Sequence, residues 1–167
     1  LVEQVINETS FCPSNLKLEI TESAVMEDAE RAVTILDELK NLGVNLMIDD
    51  FGTGYSSLNY LHRFPVDILK IDRSFVNLIG NVGEKNNIVH TIILMAKNMK
   101  MDVVAEGVET TEQLSLLRNL DCEFAQGYFF SKPLAGEDIE SLLQNNNIWD
   151  EKPLPVEPAH FSNHFKI

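Results

Sequence analysis

The chain has 167 residues, 44% of them apolar, and carries 26 acids against 13 bases for a net charge of −13. That length and apolar content fit one buried domain and fall short of two. The acidic excess argues against a nucleic-acid polymer or an anionic membrane as partner, since both favour basic patches. No apolar run reaches the length of a membrane span, and no signal peptide is expected. Cys12 and Cys122 are far apart and in no ligand spacing. They fit two thiols in a reducing, cytoplasmic setting, although a longer parent protein could still be tethered to a membrane. The chain begins at Leu1 inside a helical pattern, so a piece of a longer protein is expected.

Short apolar strands alternate with helices, the signature of a parallel α/β sheet or barrel. A helix is expected from Leu1 to about Thr9, then a first strand over Leu16–Ile20. The following helix has Ser23 as its N-cap and a stripe of Ala29, Ala32, Val33, Leu36 and Leu39, with Gly43 as a C-terminal stop. The second strand, Val44–Asp50, ends in two acids and runs into the glycine-rich loop Phe51, Gly52, Thr53, Gly54, Tyr55, Ser56, Ser57. That loop can approach a ligand closely and move, but its glycine spacing matches no nucleotide-binding fingerprint.

A short helix reaches about Arg63, and Val66–Asp72 is the third strand. The helix Glu84–Lys100 sets Ile88, Ile92, Met95 and Met99 on one face, and Met101–Val108 is the fourth strand. Thr110 and Gln113 form a capping box for a helix with the stripe Leu114, Leu117, Leu120. Phe124–Phe129 is a fifth strand and Gly136–Gln144 a last helix, so the folded part is residues 1–144, followed by a Pro- and Asn-rich tail over 145–167. Trp149 and the run Tyr128, Phe129, Phe130 are expected in the core, with a base-stacking role open for one of them.

Four of the five strands carry ionisable groups at or just past their C-terminal ends: Glu19 and Glu22, Asp49 and Asp50, Lys70 and Asp72, Glu106 and Glu109. A single acid in such a place is more often a helix cap or a loop residue. Four strands in succession weaken that reading, because this end of a β/α barrel is where active sites form. Clustered carboxylates need cations, and oxygen donors without Cys or His companions point to magnesium, manganese or calcium. An anionic substrate would call for the same mediating cation. Lys70, between Leu69 and Ile71, could orient or help deprotonate a water, neutralise a phosphate, form a Schiff base as in an aldolase, or pair with a buried carboxylate.

The segments Leu18–Ser23, Asp49–Ser57, Leu69–Asp72, Ala105–Glu109 and Gln126–Pro133 together resemble the EAL domain, a bacterial family that hydrolyses cyclic di-GMP to the linear dinucleotide. The resemblance implies a (β/α)8 barrel of the TIM type, of which this chain is a partial barrel lacking the first strands. It implies a two-metal site for magnesium or manganese, with Glu19, Asp49, Asp50 and Glu106 as metal-site acids. Lys70 would hold the attacking water and Glu106 would also serve as general base. Glu22 would anchor the glycine-rich loop, and Asp72, Glu109 and Gln126 would support the site. An upstream regulatory or cyclase module and a homo-oligomer are further implications. The namesake Glu-Ala-Leu segment occurs nowhere in the chain, nor does the family's asparagine ligand. The same resemblance therefore makes this chain inactive or weak alone, with a non-catalytic nucleotide receptor or protein-interaction scaffold as the alternative.

Overall fold

The computed structural model describes residues 1–54, 58–80 and 86–144. The chain divides into two compact units, Leu1–Lys132 and the residues from Pro133 onward. The expected tail, 145–167, lies outside the described residues.

Helix α1 (Val2–Thr9) leads through a 3-10 turn at Pro13–Asn15 into β1 (Lys17–Thr21). Then follow α2 (Glu22–Glu27), α3 (Ala29–Asn41), β2 (Asn45–Phe51), α4 (Leu58–Leu61), β3 (Ile68–Ile71), α5 (Arg73–Val76), α6 (Asn86–Asn98), β4 (Asp102–Glu106), α7 (Thr111–Asn119) and β5 (Phe124–Gln126). In the second unit, α8 (Gly136–Gln144) takes the span expected for the last helix.

The five strands form one sheet in chain order, and each neighbouring pair is parallel. Strands that follow one another in sequence and in space, each reached through helical connections, make an arc of a β/α barrel. Strand alternation divides the side chains between two faces. Leu46, Ile48, Leu69, Ile71, Val103 and Ala105 lie on one face and join α3, α6 and α7 in a single core through Leu36, Val89, Ile93 and Leu117. The opposite face carries Glu19, Asp49, Lys70 and Glu106, together with Met47 and Ile68, which are buried but outside that core cluster.

The sheet is curled. The Lys17 ammonium of β1 lies 5.4 Å from the ring centroid of Phe124 on β5. In a flat sheet those strands, four spacings apart, would be about 19 Å from each other. Curling folds the acid-bearing face into a concavity and brings side chains of non-adjacent strands within reach.

A paired device fastens the other end of the strands. Lys40, in the last turn of α3, contacts both Asp67 carboxylate oxygens at 2.8 Å. Asp67, just before β3, also accepts from the Leu46 N–H of β2 at 2.8 Å. Likewise Lys97, in the last turn of α6, faces Glu123 at 3.7 Å, and Glu123, just before β5, accepts from the Val103 N–H of β4 at 3.0 Å. In each case one carboxylate ties a helix C-terminus to the start of a strand.

Some sequence expectations shift. The helix after β1 is two helices, broken at Asp28, whose non-helical backbone (φ −142°, ψ 80°) lets its side chain accept from the Arg31 N–H as the N-cap of α3. Thr21, and not Ser23, occupies the N-cap position of α2. On α6 the buried face is Val89, Ile92, Ile93 and Ala96, whereas Ile88 is exposed. β3 and β5 are shorter than expected, and α5 is an additional turn that Asp72 initiates by accepting from the Ser74 N–H. Residues 84 and 85, expected to open α6, lie outside the described residues. Tyr128 is exposed at 61%, not in the core, while Phe129 and Phe130 pack partly buried and edge to face. Gly43 and the Thr110–Gln113 capping box form as expected.

Candidate active site

Lys70 is the hub of the concave face. It occupies the third of four residues in β3, all buried, and its side chain is only 5% exposed. Placing an ammonium there costs several kcal/mol unless it is paired. Three carboxylates supply the pairing: Glu19 Oε2 at 2.8 Å, Asp49 Oδ1 at 3.0 Å and Glu106 Oε1 at 2.5 Å. They come from β1, β2 and β4, so one residue ties four strands together at the concave surface. Burial alone would favour the neutral amine, but the hydrogen bonds it donates to Glu106, Glu19 and Asp49 outweigh burial and hold the Lys70 pKa above the ordinary lysine range. An ammonium held in that way is neither a general base nor a free nucleophile, which opposes the Schiff-base reading.

The surrounding acids are graded in exposure. Asp49 and Glu106 are about one-fifth exposed, and Glu19 is 49% exposed. The cluster is therefore open on the Glu19 side and closed beneath by the strands.

The adjacent acids Asp49 and Asp50 go to different places. The pairing of β2 with β3 is irregular between Ile48 and Phe51, and Asp50 sits there with φ +56°. That left-handed conformation is uncommon away from Gly, though Asp tolerates it better than most residues. Its N–H donates to Asp49 Oδ1 at 2.9 Å, and its carbonyl accepts from the Thr53 N–H and hydroxyl. The Asp50 side chain is exposed and is not among the carboxylates on Lys70.

The glycine-rich loop is fastened from below. Glu22, the first residue of α2, is 1% exposed and accepts from the Gly52 N–H at 2.7 Å. Gly52 has φ +93°, and a Cβ there would lie 2.7 Å from the Phe75 ring. Glycine is thus required at Gly52 by both backbone conformation and space. Phe51 is buried and Thr53 and Gly54 are exposed, whereas Tyr55, Ser56 and Ser57 lie outside the described residues.

The remaining expected residues lie away from Lys70. Asp72 caps α5, and its carboxyl is held below the usual range: burial raises it, but hydrogen bonds with Ser74 and Arg73 together lower it by more. Glu109 is exposed, and its N–H donates to Gln113 Oε1 at 2.7 Å. Gln126 is the register partner of Glu106 and is likewise exposed. None of these three bonds Lys70.

Hard oxygen donors from three strands converging on one cation fit the chemistry of a magnesium or manganese site. Their present arrangement is closed around the ammonium. Among the described residues, no three His, Cys, Asp or Glu side chains stand in metal-holding positions.

The EAL domain profile matches residues 1–133. The cyclic di-GMP phosphodiesterase NbdA of Pseudomonas aeruginosa is 46% identical over 143 residues, covering 86% of this chain and 18% of that protein. The chain thus spans about a fifth of the length of such curated relatives. Among solved structures, the PaMucR phosphodiesterase in complex with c-di-GMP superposes with a TM-score of 0.80 at 42% identity, over 83% of this chain and 56% of that one. The Klebsiella pneumoniae BlrP1 manganese/cy-diGMP complex superposes with a TM-score of 0.73 at 34% identity, over 79% and 34% of the respective chains. The curled parallel arc, its acid-lined concave face and these likenesses agree, and the chain belongs to the EAL domain family.

Proposed function

We propose that this chain supplies the water-handling side of a metal-dependent phosphodiesterase site that hydrolyses cyclic di-GMP to the linear dinucleotide. The observation that carries this is the convergence of Glu19, Asp49 and Glu106 on the buried Lys70 ammonium. It combines a cation that can donate to a water or a phosphoryl oxygen with carboxylates suited to a hard metal.

Glu19, Asp49 and Glu106 would hold magnesium or manganese, with Asp50 available to a second ion from the far side of the β2 irregularity. When bound, such ions lower the pKa of a coordinated water and neutralise charge on the phosphoryl group. Lys70 fixes the position of the attacking water by donating a hydrogen bond to it. Glu106, one-fifth exposed beside Lys70, accepts the proton that the water loses as its oxygen bonds to phosphorus. The bond from phosphorus to the ribose 3′ oxygen breaks, and that oxygen is protonated from solvent. Glu22 keeps the glycine-rich loop against the site through Gly52.

The Glu-Ala-Leu segment is absent from these 167 residues, so the chain alone binds nucleotide without appreciable turnover. The second reading is a cyclic di-GMP receptor that binds without turnover. Calorimetry with cyclic di-GMP and Mn2+, with chromatography of the products, tests both. Metal-dependent binding lost in Asp49→Asn is expected. Absence of binding with or without metal refutes the assignment, and turnover by the isolated chain refutes its inactivity.

A further inference from the structure

We propose that the Lys70 ammonium is a built-in competitor of the divalent cation, occupying the point among Glu19, Asp49 and Glu106 that the metal must share or take. The inference rests on the metal-dependent reading above and concerns what sets the strength of metal binding.

The geometry carries it. All three carboxylates lie within 3.0 Å of one Nζ atom, and an ammonium has three N–H donors, so its donors match its partners in number. The side chain enters from β3, beneath the cluster, and is nearly sealed there. Metal-holding geometry is absent among the described residues, although the donor oxygens already converge. The lysine nitrogen stands at the point where they converge. Without metal it offsets the mutual repulsion of three acids on neighbouring strands, which keeps the concave face assembled. Binding of a divalent ion then has to loosen at least one lysine–carboxylate contact and to tolerate a positive charge a few ångströms away. Glu19, the most exposed of the three, is the contact that opens with least rearrangement. Lys70 is therefore a positioning residue that holds metal affinity down while keeping the site folded in the metal's absence.

Three measurements on the 167-residue chain test this, none of which depends on turnover. Mn2+ binding is measured by calorimetry for the wild type, Lys70→Met and Lys70→Arg, alongside melting temperatures in EDTA and in Mn2+. Removing the ammonium should tighten Mn2+ binding by roughly ten- to hundredfold, lower the melting temperature in EDTA and restore it with Mn2+. Lys70→Arg, which keeps the charge, should not tighten binding. In the wild type, side-chain 15N–1H spectra should contain a protected ammonium signal for Lys70 in EDTA. That signal should shift or vanish in step with Mg2+ saturation, and this readout stands even if Lys70→Met fails to fold. Equal or weaker Mn2+ binding by Lys70→Met, or a Lys70 signal unmoved at full Mg2+ occupancy, overturns the competition. Failure of the wild type and both variants to bind either metal overturns the metal site itself, so the two failures are distinguishable.

Discussion

Replacing Asp67 separates two contributions that a single carboxylate makes at the base of the sheet. Asp67 bonds the Lys40 ammonium through both oxygens and accepts the Leu46 N–H. The ion pair is about one-third exposed on each side, so after solvent screening it contributes only about 0.5–1 kcal/mol. Leu46 is fully buried, and leaving its N–H without an acceptor costs about 1–3 kcal/mol. Asp67→Asn keeps an acceptor for that N–H and loses the charge, so it should cost about 0.5–1 kcal/mol. Asp67→Ala loses both, and about 1.5–4 kcal/mol is expected. Urea titrations read by circular dichroism give both values, provided the slope of free energy against denaturant is the same for each variant. Added salt should narrow the gap between wild type and Asn and leave the gap between Asn and Ala in place. Equal costs for the two variants, or a loss below about 0.5 kcal/mol for Ala, would show that Leu46 finds another acceptor and refute the reasoning.

Gly52→Ala should destabilise the chain by about 1–3 kcal/mol, since φ +93° is strained for alanine and the new Cβ collides with Phe75. It should also weaken metal-dependent nucleotide binding, and unchanged calorimetric affinity would separate the loop from the site. Thr110→Ala removes one half of the α7 capping box and should cost about 1 kcal/mol in urea titrations. The Cys122 thiol is pushed up to about 11, first by burial and then by the nearby Glu123 charge, against opposing hydrogen bonds. The folded chain therefore holds this proton more tightly than the unfolded chain, whose thiol titrates near about 8.5. The resulting stabilisation is complete below that pH and drains away as pH rises toward 11. Melting temperatures across this window should fall, and Cys122→Val should flatten the fall; an identical slope in the variant would assign it to other groups.

Features fixed by neighbours in sequence were legible before the structure. Thr110 and Gln113 needed only each other, Gly43 only its own conformational freedom, and the strand order only the βα alternation. The strand-end acids stand out in the sequence as a set, but which of them meet Lys70 does not. Asp49 and Asp50 look equivalent in sequence, yet the irregular pairing with β3 turns Asp50 away from Lys70. Asp72 and Glu109 also look like site residues, and local capping contacts claim Asp72's carboxylate and Glu109's N–H. The partners of Lys70 depend on curl: Glu19 is two strands away, and only a concave sheet brings it within 2.8 Å. Periodicity missed the break at Asp28 because the apolar stripe continues across it; a cap in mid-pattern was the available signal.

The repeated Lys40–Asp67 and Lys97–Glu123 ties have a bearing on how such a scaffold can change over time. They hold the strand starts in place with contacts that involve none of the residues at the opposite rim. Substitutions in the glycine-rich loop or among the rim acids can then alter ligand preference without loosening the foundation. The ties also place a distinctive demand on sequence: a cation near the end of one helix and an acid just before the next strand must change together. Covariation of those two positions, independent of any change at the rim, is the trace that this separation of foundation from chemistry would leave.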